Sequence, residues 1–321
     1  MNTSKRSVVI KVGVYSHKGG NHSSVEVVNA ICNTFRNAPH IFLAESDNYQ
    51  GTGTERLHVW QELFSEQVIP FNVSDDTDTQ KVTLAGQEMD LSHILFKPNI
   101  FVNTHIFRTY ERGSILKNLF GCIPDPKKSK FHKDTIFFPL LADMYEAIGG
   151  IDLAVLDGTY LWHKGGNLCV PANILVLGKD AVAVETVGAH LAGLKPEKMP
   201  VIQEFVKRGL GEGDLEEIDI VGAPFDTLKE KCKSARKNLK EVVARAPAPW
   251  SPSQAIDTLI REGFFNLPNR RTRKDAEKAL EDHDARARGR SKIIVTTLTR
   301  RVKKGVLKGT KGPDDWIYWK D

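Results

Sequence analysis

Short apolar runs alternate with segments of 3.6-residue periodicity up to about residue 245. The apolar runs predict strands buried on both faces, and the periodic segments predict helices that cover them. The predicted strands are SVVIKVGVY, HIFLAES, VIPFNV, NIFVNTHIF, DLAVLDG, NILVLG and IDIVG. The predicted helices are SSVEVVNAICNTFR, TERLHVWQELF, FPLLADMYEAIGG, AVAVETVGAHLAGL and PVIQEFVKRGLG. This alternation predicts an α/β fold with a mostly parallel or mixed sheet covered by helices.

Two further segments refine the expected organisation. QKVTLAGQEMDLSHIL alternates polar and apolar residues around Gly86 and Gln87, which predicts a hairpin and hence a mixed sheet or an inserted flap. TLKEKCKSARKNLKEVVARA predicts a long helix that ends at the three prolines of APAPWSPS. We therefore expect an α/β domain over residues 1–245, a Pro-rich linker over 246–252 and a small second domain over 253–321.

The second domain has the pattern of a small winged helix. Three predicted helices, SQAIDTLIREGFF, TRKDAEKALEDHDARA and RSKIIVTTLTRRVKKGVL, precede a Gly-containing hairpin. In the third helix Ile294, Leu298 and Val302 share an apolar face with Val295. The candidate nucleic-acid contacts on the rest of that helix are Lys292, Thr296, Arg300, Lys303 and Lys304. Basic side chains at these positions could neutralise phosphates of duplex DNA, or they could form a solvated face on a domain that binds protein.

Composition and charge indicate the class of protein. The chain is 40% hydrophobic and 26% charged, as in ordinary globular proteins. From Ser251 to Asp321 there are 17 Lys and Arg against 10 Asp and Glu, a net charge of +7, which leaves −2 of the total +5 for the rest. The basic surplus of the last fifth indicates an interaction surface there. The first apolar run is about eight residues long and contains Lys11, and no uncharged run approaches the roughly 20 residues of a membrane span. We expect a cytoplasmic protein with no membrane partner.

The cysteines argue against two kinds of metal centre. Cys32, Cys122, Cys169 and Cys232 are far apart and form no C-x-x-C pair. A zinc ribbon and a cysteine-ligated iron-sulfur cluster both need such spacing, so neither is expected. The identity of any other cofactor stays unknown at this point.

The first strand is followed by a Gly-containing loop and a helix, in the stretch VVIKVGVYSHKGGNHSSVEVVNAICNTF. Gly19 and Gly20 free the backbone, and His22 with Ser23 or Ser24 could donate to a ligand. Backbone N–H groups at a helix N-terminus hold anions well. The loop lacks both the Walker A spacing and the G-x-G-x-x-G fingerprint. It is therefore either an anion site or a turn in which Ser23 or Ser24 caps the helix.

Several blocks of the chain resemble one family in order. They are the opening stretch, LAESD, LKNLFGCIPDPKKSKFH, DLAVLDG, LVLGKDAVAVETVGAHLAGL and GLGEGDLEEIDIVG. Together they resemble domain of unknown function 362, sometimes named as iron-sulfur-centre proteins, over about residues 7–223. The resemblance places the conserved positions of that family at Lys11, His22, Glu45, Lys117, Asn118, His132, Asp157, Lys179 and Asp180. This chain departs from the family in NTHIFRTY, where Arg108 and Tyr110 replace Lys and His, and in having no ferredoxin-like cysteine motif.

The carboxyl ends of strands are where open α/β sheets bind ligands. Glu45, Asp157 and the pair Lys179 and Asp180 each follow a predicted strand, so we expect them to converge near the opening loop. Such a site suits a small anionic or phosphorylated metabolite. The candidate catalytic residues are Lys11, Lys117 and Asp157. The candidate ligand-binding residues are Gly19, Gly20, His22, Glu45, Asn118, His132, Lys179 and Asp180.

Each of these residues also has a structural interpretation. Asp180 could simply cap the helix after it, Asp157 could belong to a turn, and His132 could be solvated. Lys11 lies inside a strand, where it must find a partner, reach the sheet edge or lose its charge. His105 and His163 receive no role. A metal stays an open alternative, because no H-x-x-x-H spacing shows that the suitable oxygen and nitrogen donors meet. These donors are His22, Glu45, His132, Asp157 and Asp180.

Three functional hypotheses follow from these patterns. The first is a ligand-responsive regulator whose α/β domain binds a metabolite and whose basic winged helix contacts nucleic acid. The second is an enzyme of unknown reaction that uses the winged helix to form a homodimer. The third is a scaffold without a small-molecule site.

Overall fold

The computed structural model describes residues 5–48, 51–125, 127–164, 168–246, 251–283, 287 and 289–321. The chain divides into two compact units, Met1–Arg245 and Ala246–Asp321. None of the helices in the described ranges combines the length and apolar character that crossing a bilayer requires.

The first unit contains ten strands and seven α-helices among its described residues. The strands are β1 (Val8–Lys11), β2 (Val14–Ser16), β3 (Asn21–His22), β4 (Ile41–Glu45), β5 (Val68–Asn72), β6 (Thr79–Leu84), β7 (Gln87–Ser92), β8 (Ile100–Arg108), β9 (Leu153–Trp162) and β10 (Cys169–Gly178). The helices are α1 (Val25–Thr34), α2 (Gly53–Leu57), α3 (Ile115–Asn118), α4 (Asp134–Ala147), α5 (Ala181–Leu191), α6 (Pro200–Lys207) and α7 (Phe225–Arg245).

Six strands form the central sheet in the order β10-β9-β8-β1-β4-β5. All neighbours pair in parallel except β10, which runs antiparallel to β9. Both faces are covered, because Val8 and Ile10 of β1 pack into one apolar cluster while Val9 between them packs into the other. The predicted α/β fold with a mostly parallel sheet flanked by helices is confirmed.

Some predicted elements differ in detail. The predicted hairpin is the separate two-stranded sheet of β6 and β7, with a turn at Ala85 and Gly86, where φ is +48° and +74°. TERLHVWQELF splits into α2 and a 3₁₀ turn, His58–Leu63. The predicted strand IDIVG is irregular backbone, so that prediction is wrong. Ile218 and Ile220 pack against the larger core cluster without strand pairing, which explains their apolar character.

The second unit combines three helices with a small antiparallel sheet. Its elements are α8 (Pro252–Arg261), α9 (Arg273–His283), α10 (Ser291–Lys303), β11 (Arg271–Thr272), β12 (Lys308–Lys311) and β13 (Trp316–Trp319), with strand order β11-β13-β12. Ile256, Phe265, Leu298 and Tyr318 belong to its core, which is separate from the two clusters of the first unit. Arg301 of α10 forms a bidentate ion pair with Asp257 of α8, with N–O distances of 2.6 Å.

Candidate functional site

A cavity of about 290 Å³ opens in the first unit where β4 and β8 end. Six basic side chains line it: Arg56, His105, Arg108, Lys117, Lys128 and His132. Glu45 is the one carboxylate among its described lining residues. The fully buried Lys11 ammonium lies against that carboxylate. The cavity therefore concentrates positive charge at the carboxyl edge of the parallel strands.

Lys11 is the last residue of β1, and its ammonium is fully satisfied. Nζ donates to Glu45 Oε2 at 2.9 Å, to Asn118 Oδ1 at 3.1 Å and to the Val12 carbonyl at 2.7 Å. The strand lysine thus has a carboxylate partner. The close fit needs Gly121, because a Cβ there would lie 2.6 Å from Lys11 Nζ and 2.8 Å from Glu45 Oε1.

Three cations act on the carboxylate of Glu45, and two of them pair with it directly. Arg56 Nη1 lies 3.3 Å from Glu45 Oε1 and donates to the Ser46 carbonyl. Lys128 Nζ donates to Ser46 Oγ at 2.5 Å and to a backbone carbonyl at 2.9 Å. Burial alone would raise the pKa of Glu45, but Arg56, Lys11 and Lys128 hold it below its ordinary value. Burial also lowers the pKa of Lys128 to about 8, against the attraction of Glu45.

Helix α3 positions Lys117 and Asn118. Its start is fixed by the buried carboxylate of Glu185, which accepts the backbone N–H groups of Ser114 at 2.9 and 3.0 Å and of Leu116 at 2.9 Å. Asn118 Nδ2 in turn donates to Asn103 Oδ1 at 2.7 Å and to the backbone carbonyls of residues 104 and 11. The helix that carries these two residues is therefore rigidly placed against β8.

Lys117 and Arg108 are the least satisfied cations of the cavity. Arg108 Nε has no hydrogen-bond partner in the described part of the chain, and Nη2 makes one long bond of 3.4 Å to the Gly113 carbonyl. Both side chains lie over the Tyr110 ring, with Arg108 Cζ at 5.0 Å and Lys117 Nζ at 5.7 Å from its centroid.

Burial lowers the pKa of both groups. The pKa of Arg108 falls to about 10, so the guanidinium stays charged at neutral pH. The pKa of Lys117 falls to about 7, because burial removes water and Arg108 and three other cations repel its charge. Near neutral pH the neutral amine is therefore far more accessible to Lys117 than to an exposed lysine.

Two uncharged imidazoles complete the wall. Burial lowers the pKa of His105 well below its ordinary value, and Arg108 and Lys117 repel its proton further. Burial also lowers the pKa of His132, which lies 5.0 Å from the Phe120 ring and 5.4 Å from the Phe137 ring, centroid to centroid. Both can accept or donate a hydrogen bond without adding charge.

Several sequence-predicted residues meet at this cavity. Glu45, Lys117, Asn118 and His132 line it, and Lys11 lies behind Glu45. Gly20, His22 and Asp157 instead line a smaller cavity of about 120 Å³. Gly19 is exposed at the end of a 3₁₀ turn and lines neither of the two.

The opening loop is a capped turn at its helix. Ser24 is the N-cap of α1, and its hydroxyl accepts from Val27 N. The backbone N–H of Ser24 donates to Asp157 Oδ2 at 2.6 Å, and Asp157 also accepts two bonds from Thr159. The positive end of α1 thus faces the carboxylate of Asp157, which takes the place expected for an anionic ligand.

Lys179 and Asp180 do not converge with the other residues, so that part of the prediction is wrong. The antiparallel strand β10 ends at Gly178 beside Ala154, near the beginning of β9, which is the opposite edge of the sheet. Asp180 is the N-cap of α5 and accepts from Val182 N at 2.8 Å and from the next backbone N–H at 2.9 Å. A parallel β10 would have ended at the same edge as β4 and β8, and its antiparallel direction places its end at the other edge.

Four basic side chains of the cavity received no role from the sequence: Arg56, His105, Arg108 and Lys128. Arg108 was noted only as a departure from the family, although an arginine ending a buried strand is a signal in its own right. Lys128 lies in a basic run that looked solvated, and Arg56 has no local signal at all. No group of three or more His, Cys, Asp or Glu that could hold a metal ion occurs in the ranges described.

The family described as domain of unknown function (DUF362) matches residues 8–190. This range contains every described residue that lines the cationic cavity. No curated protein matches the chain.

Proposed function

This chain belongs to the family described as domain of unknown function (DUF362), and we propose that its first unit binds a small anionic or phosphorylated metabolite. The observation that carries the proposal is the charge of the cavity. Four cationic side chains and one carboxylate line it, with Lys11 behind the carboxylate, and two of these five cations, Arg108 and Lys117, have almost no protein acceptor.

A desolvated guanidinium and a desolvated amine are costly until an anion approaches them. Phosphate or carboxylate oxygens would accept from Arg108 and Lys117 in short charge-assisted hydrogen bonds. The same anion would raise the pKa of Lys117 again and so favour its charged form. A bound anion would therefore stabilise the two cations of the cavity that lack protein acceptors.

Isothermal titration calorimetry of inorganic phosphate and pyrophosphate into the full chain tests this function. Arg108→Met and Lys117→Met should each weaken binding about tenfold or more, the effect of losing one charge-assisted hydrogen bond. Lys179→Met is the matched control, because Lys179 is an exposed lysine at the opposite sheet edge. Equal affinity in all four proteins, or no binding to any, contradicts the proposal.

For the second unit we propose contact with nucleic acid through a winged-helix arrangement. Three helices followed by the β12–β13 hairpin have that order. Lys292, Thr296, Arg300 and Lys303 are exposed on α10, and Lys304 directly after the helix is also exposed. Asp315 in the hairpin lies 3.2 Å from Arg273, which reduces its repulsion of phosphates.

Fluorescence anisotropy with random duplex DNA tests this second candidate. Arg300→Glu with Lys303→Glu should abolish an affinity that falls steeply with salt. Lys237→Glu with Lys240→Glu, an exposed pair of the same spacing on α7, should reduce affinity far less. DNA binding that both double variants lose equally, or that neither loses, argues against the assignment to α10.

Together the two proposals describe a ligand-responsive regulator. The alternative is an enzyme of unknown reaction whose second unit serves dimerisation. The regulator requires that pyrophosphate or phosphate changes the apparent DNA affinity when it is added to the same titration, because coupled sites alter each other's binding. DNA affinity that is absent at low salt favours the enzyme.

A further inference from the structure

One lysine of the cationic cavity differs from the others in its partners. The ammonium of Lys11 has three oxygen acceptors, and that of Lys128 has two. Lys117 Nζ lies over the Tyr110 ring at 5.7 Å and has no oxygen acceptor within the described residues. Its amine thus lines the cavity without being used by the fold.

The groups that face Lys117 disfavour its charge. The cations are Arg108 of β8, Arg112 of the following turn, Lys11 of β1 and Lys128 of the 3₁₀ turn Lys128–Phe131, with the neutral rings of Tyr110, His105 and His132 nearby. The one carboxylate of the cavity, Glu45, is already paired with Lys11 and Arg56. Within the described surroundings, the Tyr110 ring is the group in contact with Lys117 Nζ that favours an ammonium, and no carboxylate pairs with it.

A lysine that is desolvated and next to other cations is an activated nucleophile, because its lone pair is available at neutral pH. A pKa of about 7 gives Lys117 that property. Arg108 beside it can hold a carboxylate or phosphate group. The two side chains share the Tyr110 ring, so a short molecule can meet both.

We propose that Lys117 forms an imine with its ligand, and that the ligand class is therefore a small anion carrying an aldehyde or ketone group. This proposal rests on the anion binding proposed above, since Arg108 must hold the anionic end for the carbonyl to meet the amine.

The bond changes are those of ordinary imine formation. The lone pair of Nζ attacks the carbonyl carbon, the C=O π electrons move to oxygen, and a proton passes from nitrogen to that oxygen to give a carbinolamine. One further proton from solvent lets the oxygen leave as water while a C=N bond forms. The product is a protonated imine plus water, and no oxidant or reductant takes part. The positive charge returns to nitrogen, where the bound anion now stabilises it.

Reductive trapping tests the proposal on the full chain. Glyoxylate is the probe, sodium borohydride reduces any imine to a stable secondary amine, and peptide mass spectrometry locates it. Lys117 should be labelled before the exposed Lys130 and Lys179, and acetaldehyde, which lacks the carboxylate, should label it less. The rate at Lys117 should level off at a lower pH than the rate at exposed lysines, because burial and the neighbouring cations lower the pKa of its amine. Inorganic phosphate should slow the labelling by competing for Arg108.

The controls separate this proposal from anion binding itself. Lys117→Met should lose the fast adduct, and Lys130→Met should keep it. Phosphate binding in calorimetry together with label spread evenly over exposed lysines overturns the imine and leaves the anion site intact. Absence of both phosphate binding and Lys117 labelling overturns the two proposals together. The positions labelled in the natural chain decide between these outcomes by themselves, so the test still works if a variant misfolds.

Discussion

At the scale of single residues, the site is a set of cations that the fold stabilises unequally. Lys11 and Arg56 pair with the carboxylate of Glu45, and Lys128 donates to a hydroxyl and to a backbone carbonyl. Lys117 contacts an aromatic ring instead. A buried charge without a partner costs stability, and groups of this kind are typical of functional sites. The sequence identified Lys11 and Lys117 as candidates, but their unequal environments follow only from the three-dimensional packing.

The unsatisfied amine predicts that Lys117→Met stabilises the protein. The folded-state pKa of about 7 lies below the ordinary 10.5, so the unfolded chain binds the proton more tightly. Below about pH 7 the lysine is charged in both the folded and the unfolded state, and the free-energy cost of burying that charge is complete. Between pH 7 and 10.5 the penalty falls as pH rises, and above 10.5 it is gone.

Urea denaturation at several pH values measures this difference. The Met variant should be more stable by about 1–2 kcal/mol near pH 6, a figure reduced for solvent screening, and the gain should vanish toward pH 10.5. Lys179→Met should show no such pH-dependent gain, because Lys179 is exposed. A Met variant that is less stable than the natural chain at pH 6 would show that the amine is satisfied.

At the scale of elements, hydrophobic periodicity predicted most of the strands and helices, but it did not predict the direction in which each strand runs. Continuous apolar runs predicted the buried parallel strands β1, β4 and β8, because burial on both faces requires them. The same kind of run in β10 carries no mark of its antiparallel direction. That direction follows from a short connection to β9, and it places Lys179 and Asp180 at the wrong edge for the site.

The opening loop also shows that a local sequence pattern does not reveal partners that are distant along the chain. The Gly-containing loop and helix start were compatible with an anion site or with a capped turn, and the structure shows a turn capped by Ser24. The partner came from 133 residues away, where Asp157 accepts from Ser24 N. Arg56, Arg108 and Lys128 were missed for a related reason, since each reaches the cavity from a different segment of the chain. Long-range packing, which spacing along the chain does not record, decides these positions.

At the scale of the whole molecule, the net charge of residues 1–250 and the charge of the cavity within them have opposite signs. Residues 1–250 carry a net charge of −2, yet the cationic cavity within them combines five cations with one carboxylate. Many acidic residues of this unit lie on its exposed surface, so the sum over the sequence hides the cationic interior. The basic surplus of the second unit, by contrast, is exposed on α10 and β12 and was visible from composition.

The measurement that tests the account most directly is a crystal structure of the full chain soaked with tungstate, a heavy tetrahedral oxyanion that mimics phosphate. Anomalous scattering locates its tungsten atom without ambiguity. We expect the strongest anomalous peak inside the cationic cavity, with tungstate oxygens within hydrogen-bond distance of Arg108 and Lys117. Tungstate found only on the exposed basic surface, with the cavity empty, would contradict the claim that this cavity is an anion site.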